Sequence, residues 1–259
     1  LEKLITAKLD YGLLDDQRND VSVRLNSTVI NVQNNKSAGG TVTVSYVRDN
    51  QLEKVSASKC ILACNSNVIP FICPELPDKQ KEALAFQVKV PILYTNVAVK
   101  NWEAWKNLGI GAMVCPGSYH IVSMLDFPVT YGNYEFSRNE REPIVIHMER
   151  FPHSYGSNLS AREQYKLGRY ELLTTPFETI ERNVREQLES SLSEGGFNAA
   201  KDILGITVNR WSHGYSYWYN PLFDPIYDDY NDSRYPHIIG RKKYGNITIA
   251  NADSAANAM

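Results

Sequence analysis

Apolar and polar residues alternate in three short runs near the start of the chain. The runs are residues 21–32, Thr41 to Val47 and Lys54 to Ala57, separated by polar turns at 34–40 and Asp49-Asn50. β-Branched residues with period-two alternation predict antiparallel strands. The apolar run Cys60 to Cys64 follows and is predicted to be a buried strand. The three strands are therefore expected to form a hairpin insertion that leads into a larger α/β sheet.

Helical patterns and further strands occupy the middle of the chain. Short helices are expected over Pro74 to Leu84 and Asn101 to Leu108, and strands over Val88 to Val99, Tyr119 to Leu125 and Pro143 to Met148. Residues 161–192 form one long helical pattern, broken near Thr174-Thr175-Pro176. Its second half has the apolar spacing of an amphipathic helix, which Gly195-Gly196 ends.

Residues 206–219 are unusually rich in aromatic side chains. In an extended segment alternate residues share a face, and one face here carries Trp211, His213, Tyr215, Tyr217 and Tyr219. Two interpretations stay open: a half-buried strand packed against helices, or a wall for a flat or cationic ligand. Gly214 lies within the segment and allows either a bulge or the close approach of a ligand.

Composition and charge narrow the class of protein. The chain has 259 residues, of which 43% are hydrophobic and 22% are charged, as in globular proteins. A formal net charge of −2 lacks the basic excess of a generic nucleic-acid binder, so no nucleic-acid partner is predicted. No apolar run approaches the roughly 20 residues of a membrane helix, so no membrane span is predicted.

The cysteines and histidines give no spacing typical of a metal site. Cys60 and Cys64 on one strand would lie about 13 Å apart, too far for a shared zinc ion or a disulfide. Buried, reduced thiols are expected instead. His147, Glu149 and His153 also match no metal-binding pattern, and no metal is predicted.

The end of the chain predicts a strand followed by a turn into a helix. Gly245 to Asn251 have the strand pattern, and residues 252–259 read as the opening of a helix. Such a junction presents free backbone N–H groups that suit a phosphate. Alternatively, Asp253 or Ser254 merely caps the helix. Because the first methionine is Met113 and the sequence stops inside this helix, we expect the chain to be a fragment.

Three segments together resemble the flavin-dependent amine oxidoreductases, in particular the bacterial spermidine dehydrogenase-like group. They are Val23 to Val32, Cys60 to Asn65, and the pair formed by Asn209 to Tyr215 with Gly245 to Ser254. The resemblance implies a mixed α/β fold: a partial FAD-binding, Rossmann-like domain and a substrate domain with a mixed sheet. It implies domain boundaries of 1–65 for part of the FAD-binding domain, 66–239 for the substrate-binding domain and 240–259 for the return to the FAD-binding domain.

The same resemblance implies the cofactor and the roles of individual residues. FAD is the expected cofactor, and an amine, such as the polyamine spermidine, is the expected small-molecule substrate. The residues expected to contact FAD are Val29, Ala63, Cys64, Asn65, Trp211, Asp253 and Ser254. Trp211, Tyr215 and Tyr217 would frame the amine. His213 would bind substrate or relay a proton, and Lys89 is a candidate for the lysine near flavin N5, its alternative being a solvated strand end.

Two departures and two rival functions stay open. The family's glycine-rich phosphate turn is missing, since no GxGxxG occurs, and the spacing from Lys89 to Trp102 is several residues too long.

One rival is a carbohydrate-binding or hydrolytic domain that uses the aromatic segment and the carboxylates Asp224, Asp228, Asp229 and Asp232. The other is a non-catalytic relative. The electron acceptor stays open, as does the compartment, bacterial cytoplasm or periplasm.

Overall fold

The computed structural model describes residues 7–8, 10–16, 18–35, 40–126, 128–154 and 156–257. Residues 36–39 of the predicted polar turn and the last two positions of the predicted closing helix lie outside the described residues. The described strands are β1 (Thr28–Asn34), β2 (Val42–Arg48), β3 (Gln51–Ala57), β4 (Cys60–Leu62), β5 (Ile92–Val99), β6 (Ala112–Val114), β7 (Val122–Leu125), β8 (Ile144–Arg150), β9 (Ile203–Trp211) and β10 (Ile247–Ile249). The described helices are α1 (Ile69–Ile72), α2 (Asp78–Phe86), α3 (Glu103–Leu108), α4 (Ala161–Thr174), α5 (Phe177–Leu192), α6 (Ala199–Asp202) and α7 (Pro236–Gly240).

The described chain divides into two compact units. The central unit is Lys89–Gly214, and the split unit combines the described residues of 8–88 with those of 215–257. The split unit takes in residues 66–88 and 215–239, which the sequence assigned to the substrate domain. The assignment of one unit to FAD and the other to substrate stays a prediction.

The split unit contains the predicted three-stranded hairpin. Strands β1, β2 and β3 form an antiparallel sheet in that order, as predicted. Asp49 and Asn50 join β2 to β3 with φ of 49° and 59°. Positive φ at both central residues is the type I′ turn, whose twist matches that of the paired strands. Strand β1 begins at Thr28, so residues 21–27 of the predicted strand are irregular.

The second sheet of the split unit is the parallel pair β4 and β10. Cys60 lies opposite Ile247, and Leu62 lies opposite Ile249. The prediction that the whole run from Cys60 to Cys64 is a buried strand was wrong. Only Leu62 is buried, while Ile61 is 67% exposed and Cys64 is exposed, because β4 pairs with β10 alone among the described residues. Of the other thiols, Cys73 is buried, and burial raises its pKa to about 11.

The central unit is a five-stranded sheet covered on one face by helices. The strand order is β6-β7-β8-β5-β9. Each neighbouring pair is antiparallel, so the mixed sheet expected for this region was wrong. The helical segment α4 to α6 returns the chain so that β9 runs opposite to β5. One face of the sheet packs against α5 through Leu93, Val97, Ile146, Met148, Ile180, Val184 and Leu188.

The long helical pattern was predicted correctly, including its break. Ser160 and Glu163 form a capping box at the start of α4. Thr175 is extended and Pro176 is the N-cap of α5, which separates the two helices. Elsewhere the predicted and observed boundaries differ: the helix predicted from Pro74 begins at Asp78, and the strand predicted from Val88 begins at Ile92.

Within the described residues, no helix combines the length and the apolar character that crossing a membrane requires.

Candidate functional site

The two parallel strands of the split unit end at a common edge, which we call the carboxyl edge. The backbone N–H of Ala250 donates to the carbonyl of Leu62 at 3.1 Å, which joins the two strand ends. Beyond this bond Ala63, Cys64, Ala250 and Ala252 are all exposed. Carboxyl ends of parallel strands are the usual ligand sites of open α/β sheets. Here the small side chains leave the backbone open to a ligand.

Asp253 holds three chain segments together beside the carboxyl edge. It is 1% exposed. Its Oδ2 accepts from the backbone N–H of Ser66 at 3.0 Å, and its Oδ1 accepts from that of Tyr217 at 3.4 Å. Its carbonyl accepts from the Gln87 amide at 2.9 Å. These contacts give Asp253 a structural role, and its contact with FAD stays a prediction.

The turn after β10 is capped by Asn251, a residue that the sequence analysis did not single out. Its Oδ1 accepts from the backbone N–H and the hydroxyl of Ser254, both at 2.9 Å. Its Nδ2 donates to the carbonyl of Cys64 at 2.5 Å. Asn251 is therefore the N-cap, and Ser254 completes a capping box because its hydroxyl accepts from the backbone N–H of Asn251 at 3.4 Å. The turn is a 3₁₀ segment, Ala252–Ala255, so the expected helix terminus for a phosphate is not formed by the described residues.

The predicted FAD residues fall into separate places. Asp253 and Ser254 lie with Cys64 at the carboxyl edge, and Ala63 and Asn65 flank Cys64 in the chain. Val29 lies in β1, in the other sheet of the split unit, opposite Tyr46 and 38% exposed. Trp211 ends β9 in the central unit. The contacts of all these residues with FAD stay predictions.

The expected continuous face of five rings was wrong. Strand β9 ends at Trp211, and the chain passes from the central unit to the split unit between Gly214 and Tyr215. Trp211 and Tyr215 are 54% and 55% exposed, whereas Tyr217 and Tyr219 are 8% and 5% exposed. Beyond the strand, Gly214 donates its N–H to the Val90 carbonyl at 2.8 Å, and a Cβ on Gly214 would lie 2.7 Å from that oxygen. The close approach that Gly214 permits is therefore the approach of its own backbone to the backbone of Val90.

The buried rings of the split unit form a core. The Tyr217 hydroxyl donates to Asp224, and the Tyr219 hydroxyl lies 3.0 Å from Nδ1 of His237. Burial raises the pKa of Tyr219 and lowers that of His237. Asp224, one of the carboxylates named for the carbohydrate alternative, is 9% exposed and is the acceptor of the Tyr217 hydroxyl. The burial of Tyr217 favours packing, and its contact with substrate stays a prediction.

The two predicted catalytic residues both lie in the central unit. Lys89 is 7% exposed and precedes β5 by three residues, so the alternative of a solvated strand end was wrong. Its carbonyl accepts from the Arg169 guanidinium at 3.0 Å. His213 is half-buried, with Nδ1 2.9 Å from the Ser212 hydroxyl. Their roles in catalysis stay predictions.

The sequence analysis missed a polar cluster on the sheet face opposite the α5 contact, which we call the open face. Nδ1 of His147 lies 2.9 Å from Oδ1 of Asn96, and Nε2 lies 3.3 Å from Oε1 of Glu149. The Tyr94 ring centroid is 5.0 Å from that of His147. The signal was the alternation in β8, where Ile144, Ile146 and Met148 are buried and the residues between them are not. No group of three or more His, Cys, Asp or Glu side chains in the described part is arranged to hold a metal ion.

Comparison with known proteins gives a likeness of fold. No protein-family model and no curated protein sequence matches the chain. It is similar to cyclohexylamine oxidase from Brevibacterium oxydans IH-35A, with a TM-score of 0.56 and 12% identity over 87% of this chain and 42% of that one. It is also similar to a putrescine oxidase mutant redesigned in cofactor binding, with a TM-score of 0.53 and 14% identity over 93% of this chain and 46% of that one.

The chain therefore spans less than half the length of these solved structures. Wild-type putrescine oxidase bound to putrescine gives a TM-score of 0.50 at 13% identity, with 90% of this chain and 45% of that one covered. The mixed α/β structure described above has the fold of part of an amine oxidase.

Proposed function

We propose that the chain is part of an FAD-dependent oxidoreductase that removes hydride from an amine, with polyamines such as spermidine as its substrates. The observation that carries the proposal is the likeness of fold to amine oxidases over 87–93% of the chain. The order of the three segments that resemble spermidine dehydrogenase-like proteins supports the finer assignment.

The carboxyl edge fits a dinucleotide. Ala63, Cys64, Ala250 and Ala252 are small and exposed, so a flat or extended ligand meets backbone rather than bulky side chains. Asn251, bonded to Cys64, and Asp253, bonded to Ser66, would fix the backbone conformation of this edge. FAD, when bound, supplies the hydride acceptor, which amino-acid side chains lack.

The central unit offers groups for the substrate. Trp211 and Tyr94 present rings at the end and on the open face of the sheet, and an amine packs favourably against such rings. His213, hydrogen-bonded to Ser212, would hold or accept a proton at its second ring nitrogen. The carbohydrate alternative depended on an aromatic face along residues 206–219, and that face is not continuous, because β9 ends at Trp211 and Tyr217 and Tyr219 are buried.

The test is flavin uptake by the purified protein that contains this sequence. We expect a yellow protein whose flavin absorbance survives gel filtration. The variant Ala63→Leu, at the carboxyl edge, should weaken FAD binding about ten-fold or more, since a larger side chain blocks the backbone. The matched control Ala200→Leu places the same change on an exposed helical residue of the central unit and should leave FAD binding unchanged. A folded protein that never takes up flavin would end this proposal and favour the non-catalytic relative.

A further inference from the structure

Lys89 and Gly214 are the first and last residues of the central unit, and a backbone bond brings these two ends together. The N–H of Gly214 donates to the carbonyl of Val90 at 2.8 Å. Val90 lies two residues before Ile92, whereas Gly214 lies three residues after Trp211, the partner of Ile92 in the β5–β9 ladder. The β9 side therefore contains one extra residue, as in a β-bulge, and such bulges turn side chains to new directions beside active sites.

Arg169 of α4 reaches both chain segments at this end of the sheet. Its Nε donates to the carbonyl of Ser212 at 2.9 Å, and its Nη2 donates to the carbonyl of Lys89 at 3.0 Å. Both donors lie on one edge of the planar guanidinium. They therefore hold the two carbonyl oxygens at a fixed spacing, which a single ammonium group on a flexible stem does not.

The residue before Arg169 fixes where the guanidinium begins. A Cβ at Gly168 would lie 1.9 Å from the carbonyl oxygen of Pro152 and 3.0 Å from Cγ of Pro91. Only glycine allows this approach, so α4 packs directly against the chain next to Val90. The backbone of Arg169 consequently has a fixed place beside the carbonyls that its side chain binds.

Arg169 carries a charge that is not balanced by a carboxylate among the described residues, since its partners there are carbonyl oxygens. By contrast, Arg150 and Arg185 each form an ion pair with a glutamate. Burial lowers the pKa of Arg169. A partly buried cation without a carboxylate is costly, so stability alone does not favour arginine at this position. Its rigid pair of donors suits a role in geometry.

The two carbonyls that Arg169 binds belong to or adjoin the residues expected to act on the amine. Lys89 carries one of them, and His213 follows Ser212, whose hydroxyl lies 2.9 Å from Nδ1 of His213. We propose that Arg169 is a positioning residue, which fixes the places of Lys89 and His213 relative to each other by holding the carbonyls of Lys89 and Ser212. This inference rests on the proposed function, which assigns Lys89 and His213 to the reaction.

The experiment uses the FAD-loaded protein that contains this sequence, with spermidine as the reductant and without oxygen. Stopped-flow absorbance separates the rate of flavin reduction at saturating spermidine from the affinity for spermidine, and amide hydrogen exchange at Gly214 reports on the bend itself. Arg169→Met keeps the apolar stem and removes all donors. We expect it to slow flavin reduction about ten-fold or more, with the affinity within about three-fold. Exchange at Gly214 should become about ten-fold faster.

Two further variants separate geometry from charge and from general stability. Arg169→Lys keeps the charge but cannot hold two carbonyls at one spacing, so it should be nearly as slow as Arg169→Met. The matched control Arg185→Met removes an arginine of the same unit that also donates to a backbone carbonyl, that of Ala199 at 3.2 Å. It should leave the rate of flavin reduction and the exchange at Gly214 within about two-fold of the wild type, even where it lowers stability.

An unchanged rate or unchanged Gly214 exchange in Arg169→Met overturns the inference, and so does a full rate in Arg169→Lys. If Arg169→Met does not fold, the same measurements on Arg169→Lys decide. Flavin uptake and flavin reduction by the wild type test the proposed function separately. A wild type that reduces its flavin no faster than Arg169→Met loses this inference alone, whereas a wild type that binds no flavin loses the proposed function and the positioning role with it.

Discussion

The carboxylate of Asp253 accepts a hydrogen bond from the backbone N–H of Ser66, 187 positions earlier in the chain, at 3.0 Å. The same carboxylate accepts from Tyr217, so one buried side chain joins three distant segments. Asp253→Asn replaces one acceptor oxygen with a donor that faces an N–H group. We expect it to lower the free energy of unfolding by about 2–3 kcal/mol, measured by urea denaturation.

The matched control for this change is Asp228→Asn, an exposed position of the same unit. It should alter the free energy of unfolding by less than about 0.5 kcal/mol. If both variants are equally stable, the bonds from Asp253 to Ser66 and Tyr217 do not contribute to stability, and a role of Asp253 in cofactor contact gains weight.

Gly214 is predicted to tolerate no side chain. A Cβ there would lie 2.4 Å from Cδ1 of Ile92 and 2.7 Å from the carbonyl of Val90. Gly214→Ala should therefore cost about 1–3 kcal/mol of stability through overpacking. Gly205→Ala, within β9, is the control in the same thermal unfolding measurement, because a Cβ at Gly205 would have no atom within 4 Å. Equal melting temperatures would contradict the close packing at Gly214.

His120 is predicted to make the protein less stable in acid. The residue is fully buried, with Nε2 3.0 Å from the Thr95 hydroxyl and no hydrogen-bond partner at Nδ1 among the described residues. Burial lowers its pKa from 6.5 to about 3, and the charge of Arg150 adds to the effect. Below pH 6.5 the unfolded chain takes up a proton that the folded chain does not. The contribution of His120 to the free energy of unfolding is therefore fully present above pH 6.5 and is lost progressively as the pH drops toward about 3.

At about pH 5 this single histidine should cost about 2 kcal/mol relative to about pH 7. Urea denaturation at the two pH values measures the loss, and NMR of the His120 ring measures the proton directly. His237, whose pKa is also lowered by burial, acts in the same direction. A His120 ring that titrates near its ordinary value would contradict the prediction.

Local patterns were sufficient for the elements that depend on local physics. The hairpin of β2 and β3 follows from alternation around Asp49-Asn50, and the break between α4 and α5 follows from Pro176. Both depend on residues close in sequence. Their turn and cap chemistry leaves few alternatives.

Contacts between distant residues limited the prediction of the site. The aromatic residues after Trp211 continue the strand pattern, but the strand ends at Trp211 and Gly214 approaches the Val90 backbone, a partner that no local signal indicates. Asp253 was recognised as important, yet Ser66 and Tyr217 could not be found as its partners from spacing. The cluster of His147 with Asn96 was missed because its two members lie 51 positions apart on paired strands.

The pairing of β4 with β10 has a consequence for synthesis of the chain. Cys60 must wait for Ile247, 187 positions later, before its strand has a neighbour among the described residues. At ribosomal speeds that interval is on the order of ten to forty seconds. During this time the residues of the central unit are synthesised and can fold, while Ile61 and Leu62 lack the partner strand that they have among the described residues. An unpaired apolar strand is a site of aggregation, so the nascent polypeptide carries this liability until Ile247 to Ile249 are made.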